Sequence, residues 1–194
     1  MHVCVYCSSS TRIAQGYSTA ANSFGAGLAQ HDWTLVYGGG SYGLMGAIAR
    51  STHTHGGKVV GVIPQSLLAR EVGYEQADEL IVTTTLRERK QIMEERADVF
   101  VTLPGGFGTL EELLEIITLK QLRQHTKAII IVNIDGFFDA LLQQFARILE
   151  QGFANKEILG FDDSEGLDRL YYIVTDVDEA IGLLSTLNKS LFES

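Results

Sequence analysis

The sequence predicts an α/β fold, with a doubly wound parallel sheet of about seven strands and helices on both faces. Short β-rich runs alternate along the chain with longer stretches at helical spacing, and this order is typical of strands joined by crossover helices. The runs VFVTL and AIIIV are continuously apolar, as expected for strands that are covered on both faces.

The elements follow in a regular order. The predicted strands are His2–Tyr6, Thr34–Tyr37, Val59–Ile63, Leu80–Thr83, Val99–Leu103, Ala128–Val132 and Tyr172–Thr175. The predicted helices are Thr19–Gln30, Leu44–Thr52, Leu86–Ala97, Leu110–Gln124, Phe137–Glu150 and Val177–Leu187. No linker or repeat interrupts them, and only Gly152–Gly166 is rich in loop residues. We therefore expect residues 1–194 to form a single α/β domain, with a ligand at the carboxyl ends of the strands.

Composition excludes several classes of partner. The 194 residues are 45% hydrophobic and 20% charged, with a formal net charge of -9. This acidic balance argues against a nucleic-acid polymer or an anionic membrane as partner, although a local pocket can still bind a small anion. No apolar run reaches the roughly 18 residues of a membrane span, and the first residues lack a basic leader. The expected location is cytoplasmic.

Cys4 and Cys7 form a C-x-x-C pattern. The pattern lies in a predicted strand, where residues three apart face opposite sides of the sheet. A redox pair is normally found at a helix N-terminus instead. We therefore expect buried thiols rather than a disulfide, and no metal site.

Two predicted strands end in turns of small residues. CSSST, from Cys7 to Thr11, offers hydroxyls and amides for a sugar or phosphate, including Ser8, but on its own is better explained as a helix cap. The later run VYGGGSYGLMG contains G-x-G-x-x-G, although no acid for ribose hydroxyls follows at the next strand end, VIPQS. This argues against NAD and leaves a glycine-lined floor around Gly39 and Gly40.

A third turn, LPGGFGTLEE from Leu103 to Glu112, breaks regular structure most strongly. It lies between an apolar strand and a helix with leucines at helical spacing. Free amides and the helix dipole at such a point favour an anion, above all a phosphate. The turn is not a Walker loop, because no G-K-[ST] follows.

The spacing leaves two roles open for Glu112. Thr109 to Glu112 reads T-x-x-E, in which the glutamate satisfies a backbone amide as part of a capping box. Alternatively, the carboxylate belongs to a ligand site and needs a cation nearby. The preceding predicted helix supplies four cations, Arg87, Arg89, Lys90 and Arg96. We expect most of them to form a solvated face and to pair with glutamates of the same helix, Glu88, Glu94 and Glu95.

These residues resemble a known family. PGGFGTLEE is similar to the P-G-G-x-G-T-x-x-E signature of the Lonely Guy (LOG) family, the cytokinin-activating phosphoribohydrolases long mislabelled as lysine decarboxylases. Further similarity lies in CVYCSSS, YGGGSYGLMG, the RK at Arg89–Lys90, NIDGFFDALL and EQGF. The resemblance thus extends over most of the chain.

The resemblance implies a Rossmann-like homodimer without a cofactor. It would hydrolyse the N-glycosidic bond of an N6-modified adenosine 5'-monophosphate and release the base and ribose 5-phosphate. By position, Arg89 and Glu112 would be catalytic. The implied substrate-binding residues are Glu71, Lys90, Gly105, Gly106, Phe107, Gly108, Thr109, Leu110, Glu111 and Thr118, and the two earlier turns add Ser8, Gly39 and Gly40.

In this scheme, positive charge grows on the ribose as the glycosidic bond breaks. The Glu112 carboxylate would stabilise that charge and orient or deprotonate the attacking water. Arg89 would fix the carboxylate, neutralise the phosphate, or both.

Departures from the family pattern leave the base open. Leu86–Arg87 replaces a common Met-His, Leu119 a frequent tryptophan and Arg123 a glycine. The alternatives are a purine nucleotide hydrolase that acts mainly on AMP, in the manner of an AMP nucleosidase, and a non-catalytic nucleotide- or cofactor-binding protein. Lysine decarboxylation is disfavoured, because no lysine has a context suited to pyridoxal phosphate.

Overall fold

The computed structural model describes residues 1–154 and 169–192, with the side chains of all but residues 69–71 and 191–192. Seven parallel strands form one sheet in the order β4-β3-β2-β1-β5-β6-β7. They are β1 (His2–Tyr6), β2 (Thr34–Tyr37), β3 (Val59–Pro64), β4 (Glu79–Thr83), β5 (Val99–Thr102), β6 (Ala128–Val132) and β7 (Tyr172–Val174). The predicted sheet is confirmed.

Within the described residues, seven α-helices connect or follow these strands. They are α1 (Gln15–Gln30), α2 (Gly43–Thr54), α3 (Gln65–Glu71), α4 (Leu86–Arg96), α5 (Phe107–Gln121), α6 (Asp139–Glu150) and α7 (Val177–Phe192). The helix α3 was not predicted, because seven residues are too few to show helical periodicity. Most of the loop predicted at Gly152–Gly166 lies outside the described residues.

Two apolar cores cover the faces of the sheet. Alternate residues of β1 enter different cores, since Val3 and Val5 pack with helices α1, α2 and α7, whereas Cys4 and Tyr6 pack with α4, α5 and α6. The sheet is therefore doubly wound, as predicted. The strand order of the sheet reverses between β1 and β5. Because the loops after these two strands lead to opposite faces of the sheet, a crevice opens at the carboxyl ends of β1 and β5.

The cysteines lie as expected for opposite-facing residues. Cys4 belongs to one core and Cys7, one residue beyond β1, belongs to the other. Both are buried free thiols. The prediction of buried thiols is confirmed.

None of the helices within residues 1–154 and 169–192 has the length and apolarity needed to cross a membrane.

Candidate active site

A pocket of about 880 Å³ opens at the carboxyl ends of β1 and β5. Small-molecule sites typically enclose roughly 300–1,000 Å³, and in doubly wound sheets they lie where the strand order reverses. The loop after β1 and the first turns of α4 and α5 form most of its wall. The lining residues are Cys7, Ser8, Ser9, Ser10, Arg12, Met45, Leu67, Leu86, Arg87, Arg89, Lys90, Gly106, Phe107, Gly108, Thr109, Glu111 and Glu112.

Arg89 and Glu112 form a buried ion pair in this pocket. Nη1 of Arg89 donates to Oε1 of Glu112 at 2.8 Å, and each residue is only 7% exposed. The pair joins helix α4 to helix α5, so the two predicted catalytic residues are brought together. Nε of Arg89 also donates to the carbonyl oxygen of Val62 at 3.0 Å, which ties the guanidinium to β3.

Burial raises the pKa of Glu112 above its ordinary value of 4.5, and the positive charge of Arg89 counteracts part of that shift. Low-dielectric surroundings disfavour the charged carboxylate, whereas the adjacent guanidinium favours it. A carboxylate with a raised pKa is a stronger base than an exposed glutamate. Such a group suits general-base chemistry near neutral pH.

The structure excludes the capping box. Helix α5 begins at Phe107, with Gly106 as its N-cap and no side-chain cap hydrogen bond there. Thr109 therefore lies inside the first turn, where it is buried. Glu112 bonds to Arg89, so the T-x-x-E spacing has no capping function here.

The N-terminus of α5 offers backbone donors to a ligand. The first amides of a helix have no acceptor within the helix, and those of Phe107, Gly108 and Thr109 border the pocket. Side-chain positions at Gly106 and Gly108 meet no atom within 4 Å, so the approach to the backbone is open. A Cβ at Gly105 would instead collide with the Thr109 hydroxyl. This contact explains why residue 105, directly before the N-cap Gly106, is glycine.

The glycine-rich turn after β2 packs against the loop after β1. The amides of Leu44 and Met45, at the start of α2, donate to the carbonyl of Ser8 at 2.9 and 3.2 Å. A Cβ at Gly43 would meet the backbone of Ser8–Ser10 within 2.7 Å. The amides at the start of α2 are therefore already bonded within the protein, and a ligand contact at Gly39 and Gly40 stays a prediction.

Gly39 and Gly40 themselves lie away from the pocket lining. Gly39 has a φ of +76° and accepts a hydrogen bond from the Tyr74 amide. Gly40 forms an antiparallel bridge with Gly73. Both glycines thus hold the Val72–Tyr74 segment against the end of β2.

Arg87 and Arg96 of α4 are exposed, as predicted, but Lys90 and Arg96 do not pair with glutamates of their own helix. Lys90 bonds to Glu111 and lies 2.9 Å from Glu115, both on α5. Burial acts to lower the pKa of Lys90, but these two carboxylates raise it overall. Arg96 pairs with Glu79 of β4 at 2.7 Å. Sequence spacing shows pairs within a helix but not pairs between elements.

The pocket carries more positive than negative side chains. Four cations line it, Arg12, Arg87, Arg89 and Lys90, against the carboxylates of Glu111 and Glu112. A chain with a formal charge of -9 therefore concentrates positive charge where the free amides lie. Both features favour an anionic ligand.

Three other predicted binding residues lie elsewhere or are not described. Thr118 donates its hydroxyl to the Leu114 carbonyl and lines a separate, smaller cavity between α5 and α6. Leu110 packs on the core beneath α4 and α5. The side chain of Glu71 falls outside the described residues.

Several lining residues were not among the individually predicted binding residues. They are Cys7, Ser9, Ser10, Arg12, Met45, Leu67, Leu86 and Arg87. Of these, Cys7, Ser9 and Ser10 belong to the CSSST turn that the sequence offered as a candidate. Leu86 and Arg87 depart from the family pattern, and the sequence places Arg87 on a solvated face rather than in the site. Leu67 belongs to the unpredicted helix α3, and its spacing carries no motif that would have indicated it.

The Cys7 thiol borders the ion pair without the properties of a nucleophile. Burial raises its pKa, and the charge of Glu112 raises it further, so the thiol stays protonated. Among the described residues, no group of three or more His, Cys, Asp or Glu is arranged to hold a metal ion.

The fold and pocket define a class of protein: a doubly wound α/β protein with an anion-binding turn and a buried carboxylate–guanidinium pair at the switch in strand order. A family model described as "Possible lysine decarboxylase" matches residues 45–162, and the relatives below are phosphoribohydrolases of the LOG family. The chain belongs to this family.

Two relatives illustrate the match. The cytokinin riboside 5'-monophosphate phosphoribohydrolase LOG2 of Arabidopsis thaliana is 44% identical over 153 residues, covering 79% of this chain and 72% of that protein. The cytokinin riboside 5'-monophosphate phosphoribohydrolase of Mycobacterium marinum is 40% identical over 179 residues, covering 92% and 90% of the two chains.

A solved structure supports the fold. The molybdenum cofactor carrier protein of Chlamydomonas reinhardtii aligns with a TM-score of 0.70 at 22% sequence identity, covering 97% of this chain and 98% of that one. At this identity the similarity concerns the fold alone.

Proposed function

We propose that this chain hydrolyses the N-glycosidic bond of N6-modified adenosine 5'-monophosphates, releasing the free base and ribose 5-phosphate. One observation carries the proposal: the Glu112 carboxylate is buried and held by Arg89, beside an open helix N-terminus in a positively charged pocket. The names of the LOG relatives support the same reaction.

The substrate's phosphate would bind the amides of Phe107, Gly108 and Thr109. These donors and the α5 dipole favour an anion, and the open positions at Gly106 and Gly108 let it approach. Lys90 would add charge at the same wall of the pocket. Anchoring a group that does not react holds the sugar in place and reduces the entropy lost in the reaction.

Glu112 would act at the anomeric carbon. Its carboxylate stabilises the positive charge that grows on the ribose as the bond to the base weakens. With its raised pKa, it also accepts a proton from the attacking water. Water then adds to C1' and its proton passes to Glu112. The base departs with the electron pair of the glycosidic bond and takes up a proton from solvent, and Glu112 releases its proton to solvent.

Apolar side chains would receive the base. Leu67, Leu86 and Phe107 line the pocket, and Leu86 and Phe107 are 51% and 92% exposed. Covering such surface releases water favourably. A base with an apolar N6 substituent covers more of it than adenine does, which supports the modified base over AMP as the preferred substrate.

Product analysis tests the proposal. Purified protein is incubated separately with N6-isopentenyl AMP, AMP, N6-isopentenyladenosine and lysine, and any free base is identified by chromatography. We expect base and ribose 5-phosphate from the nucleotides, fastest from the modified one. Intact nucleotide that stays bound would instead indicate a carrier, and faster release from AMP would indicate the AMP nucleosidase alternative.

A matched pair of variants assigns the activity to the site. Glu112→Gln should lose hydrolysis, whereas Glu95→Gln, an exposed glutamate of α4 bonded to Gln91, should retain it. Activity in both variants would assign hydrolysis to other residues or to a contaminant.

The homodimer and the cytoplasmic location stay predictions. We propose a homodimer because the resemblance to the LOG family implies one. Light scattering on the eluting protein measures its mass directly, against 21.3 kDa for one chain. A single species of that mass would contradict the dimer.

A further inference from the structure

Each nitrogen of the Arg89 side chain faces a different part of the protein. Nε donates to the Val62 carbonyl at 3.0 Å, and Nη1 donates to Glu112 at 2.8 Å. Nη2 lies against the bare Cα of Gly38, at the end of β2. We refer to Gly38 and Val62 as the arginine seat.

A positive φ angle is not the reason that residue 38 is glycine. Its neighbours Gly39 and Gly43 have φ values of +76° and +59°, which favour glycine, but Gly38 lies outside that left-handed region. A Cβ at Gly38 would collide with Nη2 of Arg89 and lie 3.3 Å from its Cζ. It would also lie 2.8 Å from Sδ of Met45, the end of a flexible side chain.

The guanidinium thus occupies the space that a side chain at residue 38 would need. We infer that Gly38 is a positioning residue, which acts by seating Arg89 so that the guanidinium holds the Glu112 carboxylate rather than the phosphate of the substrate. The inference rests on the proposed function for its catalytic part. It gives the first glycine of the GGG run a role distinct from ligand binding.

The arrangement has a chemical consequence for Glu112. If a methyl group at residue 38 displaces the guanidinium, the carboxylate loses a directional hydrogen bond and an adjacent positive charge. The lost bond leaves the carboxylate free to rotate away from the sugar. The lost charge lets burial raise the pKa of Glu112 further.

A cycle of variants tests the seat without using activity. Gly38→Ala, Arg89→Lys and the double variant are compared by thermal unfolding, because lysine keeps the charge but lacks Nη2. We expect Gly38→Ala to lower Tm by about 5 °C in the native background, and to have little effect in the Arg89→Lys background. Equal losses in both backgrounds would overturn the inference. Should Arg89→Lys not fold, Arg89→Met carries the same cycle.

Gly46 provides the matched control. A Cβ there would collide with the backbone carbonyl of Ser41, a clash that does not involve Arg89. Gly46→Ala should therefore lower Tm equally in the native and Arg89→Lys backgrounds. If the Arg89→Lys change also relieved the loss caused by Gly46→Ala, the lysine would have a general effect on stability and the inference would be overturned.

Kinetics test the role assigned to Arg89. Gly38→Ala should lower kcat by about 10²-fold with KM for N6-isopentenyl AMP nearly unchanged, and should move the acid limb of the kcat–pH profile to higher pH. A raised KM with unchanged kcat would assign Arg89 to the phosphate and overturn the inference. If the native protein shows no hydrolysis, the proposed function fails, but the Tm cycle still tests the seat.

Discussion

Nη1 of Arg89 lies 2.8 Å from Oε1 of Glu112, although the two residues are 23 positions apart in sequence. Each is at the pocket-facing end of a helix, and each is nearly inaccessible to water. Breaking a buried ion pair by removing one partner is strongly destabilising. A fold that keeps such a pair at its ligand pocket therefore holds a carboxylate in one place, which is what glycosidic cleavage needs.

Glu112→Gln should reduce kcat by on the order of 10²-fold or more, because glutamine neither stabilises the ribose charge nor accepts a proton. Its amide oxygen still accepts the Arg89 hydrogen bond, so the variant should fold, although the uncompensated charge of Arg89 lowers its stability. Steady-state kinetics and circular dichroism measure the two effects. Undiminished turnover by a pure, folded variant would remove Glu112 from the mechanism.

The acid limb of the kcat–pH profile should lie above pH 4.5. Glu112 acts as its carboxylate, and burial raises its pKa above that ordinary value, so activity falls as the pH decreases through the raised pKa. The measurement is kcat between pH 4 and 8 at saturating nucleotide. A midpoint at or below 4.5 would mean that burial does not dominate the environment of the carboxylate.

Gly108→Ala should raise KM for the nucleotide by about 10-fold, since its methyl group would extend into open space beside the amides that we propose bind the phosphate. The same change should not lower Tm, because alanine favours a helix over glycine. Gly182→Ala in α7 also meets open space and is the control for helix propensity. An unchanged KM in Gly108→Ala would place the phosphate elsewhere.

Leu86→Ser should lower kcat/KM about 10-fold for N6-isopentenyl AMP, and much less for AMP, because it removes apolar contact with the substituent. Leu122→Ser, at a leucine that is 62% exposed outside the pocket lining, controls for the loss of a surface leucine. Equal losses on both substrates would show that Leu86 does not contact the N6 group.

The sheet was predictable because its central strands are apolar on both faces and its strands are regularly spaced along the chain. Helix α3 was not, since its seven residues carry no periodicity. The sequence predicts the start of α5 at Leu110, three residues late. Phe107 and Gly108 are already helical, but the glycines around them are typical of a turn. That shift is what made T-x-x-E read as a capping box.

The site was only partly predictable. Arg89 and Glu112 were identified by similarity to a family motif, because their spacing alone also fits structural roles. The partners of Lys90 and Arg96 lie on other elements, which a single sequence does not show. The contact between Gly38 and Arg89 is likewise tertiary. The sequence therefore shows the run of three glycines but not the side chain that packs against the first of them.

A crystal structure of Glu112→Gln with N6-isopentenyl AMP tests the central claim most directly, because slow turnover should preserve the bound nucleotide. We predict the phosphate on the amides of Phe107–Thr109, C1' beside residue 112, and the base near Leu86. A phosphate bound at another place, or a C1' atom out of reach of residue 112, would contradict the proposed mechanism.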